Sequence, residues 1–187
     1  MTTTAATATV TTAPAVPPLT VLVRDLAGVV RTTAPGRTRV DAVGHALAPH
    51  LGDPRLLAPA HCVGDPDHHR QHVLHVADDG AFSLVALVWR PGQTTVVHDH
   101  LSWCVVGVHT GEEHETRYRL VDGGRALAVD GTDVARPGTV TGLLPPGDVH
   151  RVTNTASTTA ISLHVYGTDV TRRGTSIRRR YDLPVLG

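Results

Sequence analysis

Residues 92–111 read GQTTVVHDHLSWCVVGVHTG and residues 145–154 read PPGDVHRVTN, and these two stretches decide the fold. In the first, His98 and His100 stand two apart. Successive side chains of a strand point to opposite faces, so residues at i and i+2 share one, and the two imidazoles can grip one ion. In the second, a Pro-Pro-Gly turn leads into His150. Alone, an HxH pair or a single histidine is most often incidental. Set together between glycine and proline turns, they predict a closed sheet that brings both segments to one interior. Three neutral imidazoles there hold a metal from one side and leave the opposite positions open, as in iron oxygenases.

Working outward, residues 69–76, 82–90, 94–98, 103–109, 115–120, 126–129, 138–143, 150–154 and 158–166 are short, rich in Val, Leu and Thr, and often alternating. Turn residues separate them, among them Asp78-Asp79-Gly80, Pro91-Gly92, Asp122-Gly123-Gly124, Asp130-Gly131 and Pro137-Gly138. Many short strands at this spacing predict an all-β sandwich or barrel. Upstream the period changes. Residues 19–30 place Val21, Leu22, Leu26, Val29 and Val30 near one helical face, and a second helix is expected over 40–51. Asp53 before Pro54 predicts a short helix at 54–57, with a capping side chain and proline in the first turn. Residues 174–187, with Arg178, Arg179 and Arg180, are expected to wrap the outside of the barrel. The domain reading is a disordered tail at 1–18 and a single domain at 19–187, whose first part, to residue 60, is a helical cover.

Net charge is zero with histidine neutral, and all 17 basic residues are arginine, so no basic field exists to attract nucleic acid or an anionic membrane. Two cysteines make no disulfide framework. The Thr/Ala/Pro-rich start lacks the basic beginning and continuous apolar core of a secretory signal, and no apolar run is long enough to span a bilayer. A cytoplasmic protein is expected. Thirteen histidines prove nothing by number. His61, His68, His72, His75, His109 and His114 have no partner spacing and are read as ordinary surface or core residues.

The two opening stretches resemble the two cupin motifs, with Cys104 where the first usually has glutamate and Gly138 one residue further upstream than the second's leading glycine. More specifically, HDHLSWCVVGVHTGEEHETRY at 98–118, PPGDVHRVTN at 145–154 and SLHVYG at 162–167 resemble the cysteine dioxygenase family of thiol dioxygenases. Weaker similarity runs through 70–75 and 82–93, and the resemblance covers most of 65–187. It implies an all-β cupin, a double-stranded β-helix (jelly-roll) barrel with a few N-terminal helices. It implies Fe(II), another divalent metal such as Ni fitting the same ligands, and no organic cofactor. Its partners are a small thiol and dioxygen. The implied reaction is oxidation of L-cysteine to its sulfinate. Rivals are 3-mercaptopropionate or another mercapto-acid, a biosynthetic cysteine-oxidising cupin with another metal, and a non-catalytic metal- or ligand-binding cupin.

Residue by residue, His98, His100 and His150 match the family's iron ligands, and Ser162, His164 and Tyr166 match its hydrogen-bonded triad. Cys104 matches the cysteine that some members join to the tyrosine by a thioether. A free buried thiol is the alternative. Gln71 stands where cysteine-selective members clamp the carboxylate with an arginine, Arg70 is its neighbour, and His69 replaces a frequent tyrosine. Glutamine there resembles the branch acting on 3-mercaptopropionate, whose anchor is a later arginine, for which Arg172 and Arg173 are the candidates.

Overall fold

The computed structural model describes residues 16–186, so residues 1–15 of the expected tail lie outside it. Two helices, α1 (Pro18–Thr32) and α2 (Arg37–Leu47), precede eleven strands among the described residues. Strands β1 (Arg70–Val76), β2 (Ser83–Trp89), β9 (Ala160–Tyr166), β4 (Cys104–Thr110) and β7 (Val140–Leu143) form one sheet in that order. The second sheet runs β10 (Ile177–Arg180), β3 (His98–His100), β8 (His150–Thr153), β5 (Glu113–Val121), β6 (Ala126–Ala135) and β11 (Val185–Leu186). The fold is an all-β cupin, a double-stranded β-helix with N-terminal helices. No helix among the described residues is long and apolar enough to cross a membrane.

The central strands β2 and β9 of the first sheet are buried on both faces, and alternation along each strand sorts their side chains. Leu84, Ala86 and Val88 of β2, Val105 of β4, and Ile161, Leu163 and Val165 of β9 face outward onto Leu22, Leu26, Val40, Val43 and Leu47 of the two helices. Val85, Leu87, Trp89, Cys104, Ala160 and Tyr166 face the barrel interior. This double burial is why β2 reads as a continuous apolar run from Leu84 to Trp89 rather than as a clean alternation. Helix α2 lies close on β7: a Cβ at Gly142 would collide with Val40 Cγ1. Val40 is fully packed, so Gly142→Ala must push the helix outward. A loss of about 1–3 kcal/mol is expected, read as a lowered unfolding midpoint in urea.

Four sequence expectations shift. Residues 54–57 form turns, not a helix. Asp53 Oδ1 accepts the Arg55 amide at 2.9 Å and the Leu56 amide bonds back to the Asp53 carbonyl at 3.0 Å, a local turn that competes with helix. Asp130-Gly131 is no hairpin turn but a bulge inside β6, where the register against β5 slips between Arg117 and Tyr118. Residues 94–97 bridge β8 only at Thr94, and the strand proper is His98–His100. The C-terminal tail does not merely wrap the barrel: β10 adds to β3 and β11 adds to β6, extending the second sheet at both edges. The first of these pairings gives the short HDH strand its ladder, which no local pattern announces.

Candidate metal centre

The second sheet aims three imidazoles inward. His98 and His150 are direct cross-strand partners of β3 and β8, and His100 follows His98 on the same face. One ring nitrogen from each of His98, His100 and His150 lies within 4.8 Å of the others, all three residues being buried. The remaining nitrogens are engaged. His98 Nδ1 bonds the Val96 carbonyl at 2.9 Å, His100 Nδ1 bonds Asp148 at 2.9 Å, and His150 Nδ1 bonds Glu115 at 2.6 Å. Such acceptors hold each ring in the tautomer whose Nε2 lone pair faces the centre. His150 Nε2 is buried with no hydrogen-bond partner among the described residues. Burial, reinforced by neighbouring His150, depresses the pKa of His98 to about 3, so the ring is a neutral ligand at ordinary pH. An unpartnered buried nitrogen, the neutral His98 ring and oriented outer partners together fit a divalent metal ion.

Asp99, between the two histidines, points away from the centre and is fully buried. Arg178 and the Tyr181 hydroxyl (2.8 Å) both bond its Oδ2. The C-terminal segment therefore clamps the strand that carries two of the three ligands.

The first sheet supplies the opposite wall. Ser162, His164 and Tyr166 alternate along β9 and face inward, in hydrogen-bonded series: Ser162 Oγ to His164 Nε2 at 2.9 Å, and His164 Nδ1 to the Tyr166 hydroxyl at 3.1 Å. Trp89 Nε1 donates to Ser162 Oγ at 3.2 Å. Burial pushes His164 well below and Tyr166 well above their ordinary pKa values, so both are neutral. Cys104 is the cross-strand partner of Tyr166, and its Sγ lies 4.0 Å from His164 Nδ1. Burial raises its pKa too, so the thiol is protonated.

Between the walls is a cavity of about 380 Å³, lined by the three histidines, His164 and Tyr166. Gln71 also lines it and Arg70 does not, as strand alternation requires of neighbours. His69 lines it and stacks on Trp89 at 4.5 Å between ring centroids, and His68, read from sequence as an ordinary residue, lines it as well. Arg172 and Arg173 do not reach the cavity. They sit in helix α3 (Val170–Arg173), capped by Asp169, and border a separate surface depression with Asp79 and Thr168. The chain turns back through Gly174, and the arginine that does line the cavity, at its rim, is Arg180 of β10.

Glu115, Asp148 and Arg180 were missed by the sequence reading. The first two carried a signal in retrospect: Asp148 lies in the same PPGDVH stretch as His150, and Glu115 belongs to the alternating GEEHE run.

A cupin barrel with a three-histidine metal site beside a hydrogen-bonded Ser-His-Tyr series is the class that fold and site define. The chain belongs to the cysteine dioxygenase type I family, whose model matches residues 52–172. Among solved structures, similarity extends to a conserved protein with a double-stranded β-helix domain from Klebsiella pneumoniae subsp. pneumoniae MGH 78578, at 17% identity over 63% of this chain and 87% of that one, with a TM-score of 0.48. A cupin superfamily protein from Desulfitobacterium hafniense DCB-2 matches at 15% identity over 64% and 95%, TM-score 0.45. A Cupin 2 conserved barrel domain protein from Salinispora arenicola CNS-205 matches at 21% over 65% and 95%, TM-score 0.45.

Proposed function

We propose that this protein is an Fe(II)-dependent thiol dioxygenase that converts a small mercapto-carboxylate and dioxygen to the sulfinate. The observation that carries this reading is the joint lining of one cavity by three metal-directed histidines, Tyr166 and Arg180. The metal, when bound, supplies a positive charge that holds the substrate sulfur as thiolate and the redox chemistry with dioxygen. The reaction balances without a further reductant, since both oxygen atoms end on sulfur.

The chain's own groups bind and orient. Arg180 anchors the carboxylate at the rim with Gln71 as a neutral donor beside it, which fixes how far the thiol reaches inward. Trp89 and His69 wall one side and restrict water. The Tyr166 hydroxyl, held by His164, offers its proton to whatever occupies the space between it and the three histidines. A binder with no reaction to perform has no use for such a series, which favours an enzyme over a sensor or storage cupin.

Among the described residues no acidic side chain lines the cavity to receive an ammonium group. With Gln71 rather than Arg70 facing inward, this favours an amine-free acid such as 3-mercaptopropionate over L-cysteine. Oxygen uptake by Fe(II)-loaded protein with each thiol, products identified by mass, tests the reading. Sulfinate from 3-mercaptopropionate at the higher kcat/KM supports it. Sulfinate preferentially from cysteine keeps the reaction and overturns the substrate order, and uptake with neither rejects the reaction.

The neighbouring positions of Cys104 and Tyr166 support a thioether formed with dioxygen as the acceptor of the two hydrogens lost. An intact mass lower by about 2 Da after aerobic turnover with Fe(II) is the expected result, absent in Cys104→Ser. An unchanged mass in active protein means that Cys104 stays a buried thiol.

A further inference from the structure

Strand β10 reads Ile177-Arg178-Arg179-Arg180, and this pattern does not say which arginine enters the cavity. All three arginines are exposed, so burial does not choose among them. A strand polar on both faces specifies its register weakly, and a slip by one residue turns every side chain to the other face. With Ile177 opposite His100, two registers compete. In a regular ladder Arg178 would oppose Asp99 and Arg179 would oppose His98, so Arg179 would point inward and Arg180 outward. In the observed ladder Arg178 is an extra, bulged residue, Arg179 pairs with Asp99, and Arg180 pairs with His98.

The contacts on the outer face of β3 discriminate between the two. Asp99 is fully buried there. Its Oδ2 accepts from Arg178, the bulged residue, and from the Tyr181 hydroxyl at 2.8 Å. Tyr181 is the decisive donor. Its amide donates to the Val97 carbonyl at 2.9 Å, and its ring is buried with Tyr118, Leu127 and Val149. In the regular ladder Tyr181 would stand one residue further along, opposite Val96, with its side chain on the cavity face. Asp99 would then lose the hydroxyl, and a buried carboxylate stripped of a donor is costly.

We propose that Asp99, with Tyr181 as its donor, is a positioning residue that selects the bulged register and so determines which arginine of β10 reaches the substrate. Asp99 acts through Arg180 and touches no substrate itself. The selection of Arg180 as carboxylate anchor rests on the proposed function, whereas the selection of register does not.

The test reads the two separately. In metal-free protein, cross-strand nuclear Overhauser contacts of His98 report its partner on β10, which in the native chain is Arg180. In Asp99→Leu the contact is expected to move to Arg179. In Tyr181→Phe, which keeps the buried ring, both contacts are expected together. Deleting Arg178 in the Asp99→Leu background supplies a rescue. Ile177, Arg179 and Arg180 then alternate without a bulge, and the contact returns to Arg180. A side chain that merely stabilised the strand would not be rescued by shortening it. In Co(II)-loaded protein the sulfur-to-metal absorption band reads thiolate binding. The affinity for 3-mercaptopropionate relative to cysteamine is expected to fall about tenfold in Asp99→Leu, as in Arg180→Ala, and to recover on deletion of Arg178. A His98 contact that stays with Arg180 in both single variants, or that does not return to it in the rescue, overturns the proposal. A contact that moves while the relative affinity is unchanged supports the choice of register and overturns Arg180 as the anchor.

Discussion

Replacing His150 by alanine is expected to reduce bound Fe(II) from one per chain to near zero and to abolish thiol-dependent oxygen uptake. Two ligands on the three-residue strand β3 cannot hold the ion alone, because the third donor comes from β8, across the ladder at His98. A graded contrast separates loss of a donor from loss of its orientation. Glu115→Gln keeps His150 but weakens the acceptor on its Nδ1, and metal affinity is expected to fall roughly 10–100-fold rather than vanish. Competition titration with a chelator, alongside metal analysis, reads both. Equal loss in the two variants would mean that Glu115 supports the fold of β5 and β8 rather than tuning the ligand. The metal-free protein should also be acid-sensitive. The depressed pKa of His98 means that the unfolded chain binds more protons between about pH 6.5 and pH 3. Stability is therefore fully present above that window and falls as pH drops through it, while bound metal delays the fall.

What the sequence exposes here is what strand geometry makes local. His98 and His100, and likewise Ser162, His164 and Tyr166, sit at i and i+2, so a shared face follows from alternation alone. That Gln71 and Arg70 could not both enter the cavity followed from the same rule. The barrel itself was legible because turns recur between short apolar runs, and the helices because their apolar residues recur at 3.6. What stayed hidden depends on which strands become neighbours. Glu115 meets His150 only because β5 pairs with β8, 35 residues apart in sequence. The short helix expected at 54–57 failed for the opposite reason, a local one: the Asp53 side chain stabilises a turn as readily as a helix start. Arg172 and Arg173 were plausible by their place after Tyr166, but α3 carries them to the surface.

Arg180→Ala is expected to raise KM for mercapto-carboxylates about tenfold or more with little change in kcat. The position of this side chain is set by an irregularity in β10. Ile177 pairs with His100 and Arg180 with His98, three residues against two, with the register slipping between Ile177 and Arg179. The bulge puts Ile177 and Arg180 on the cavity side while Arg178 turns to Asp99. Without it, strict alternation would send Ile177 and Arg179 inward and leave the cavity without the Arg180 guanidinium. A hydrogen bond to a charged group contributes about 1.5–3 kcal/mol, and the rim position, open to solvent, places Arg180 at the lower end. The contact is made equally to bound substrate and to the transition state, so the loss belongs in KM. Arg180→Lys should recover only part of it, because an ammonium cannot reproduce the planar fork. Cysteamine, a thiol with no carboxylate, supplies the control: its turnover should be indifferent to either variant. If the KM for 3-mercaptopropionate does not move in Arg180→Ala but rises in Gln71→Ala, the anchor is the neutral amide and the arginine only closes the rim. Equal losses with cysteamine would instead show that removing Arg180 disturbs β10, and through Asp99 the strand that carries His98 and His100.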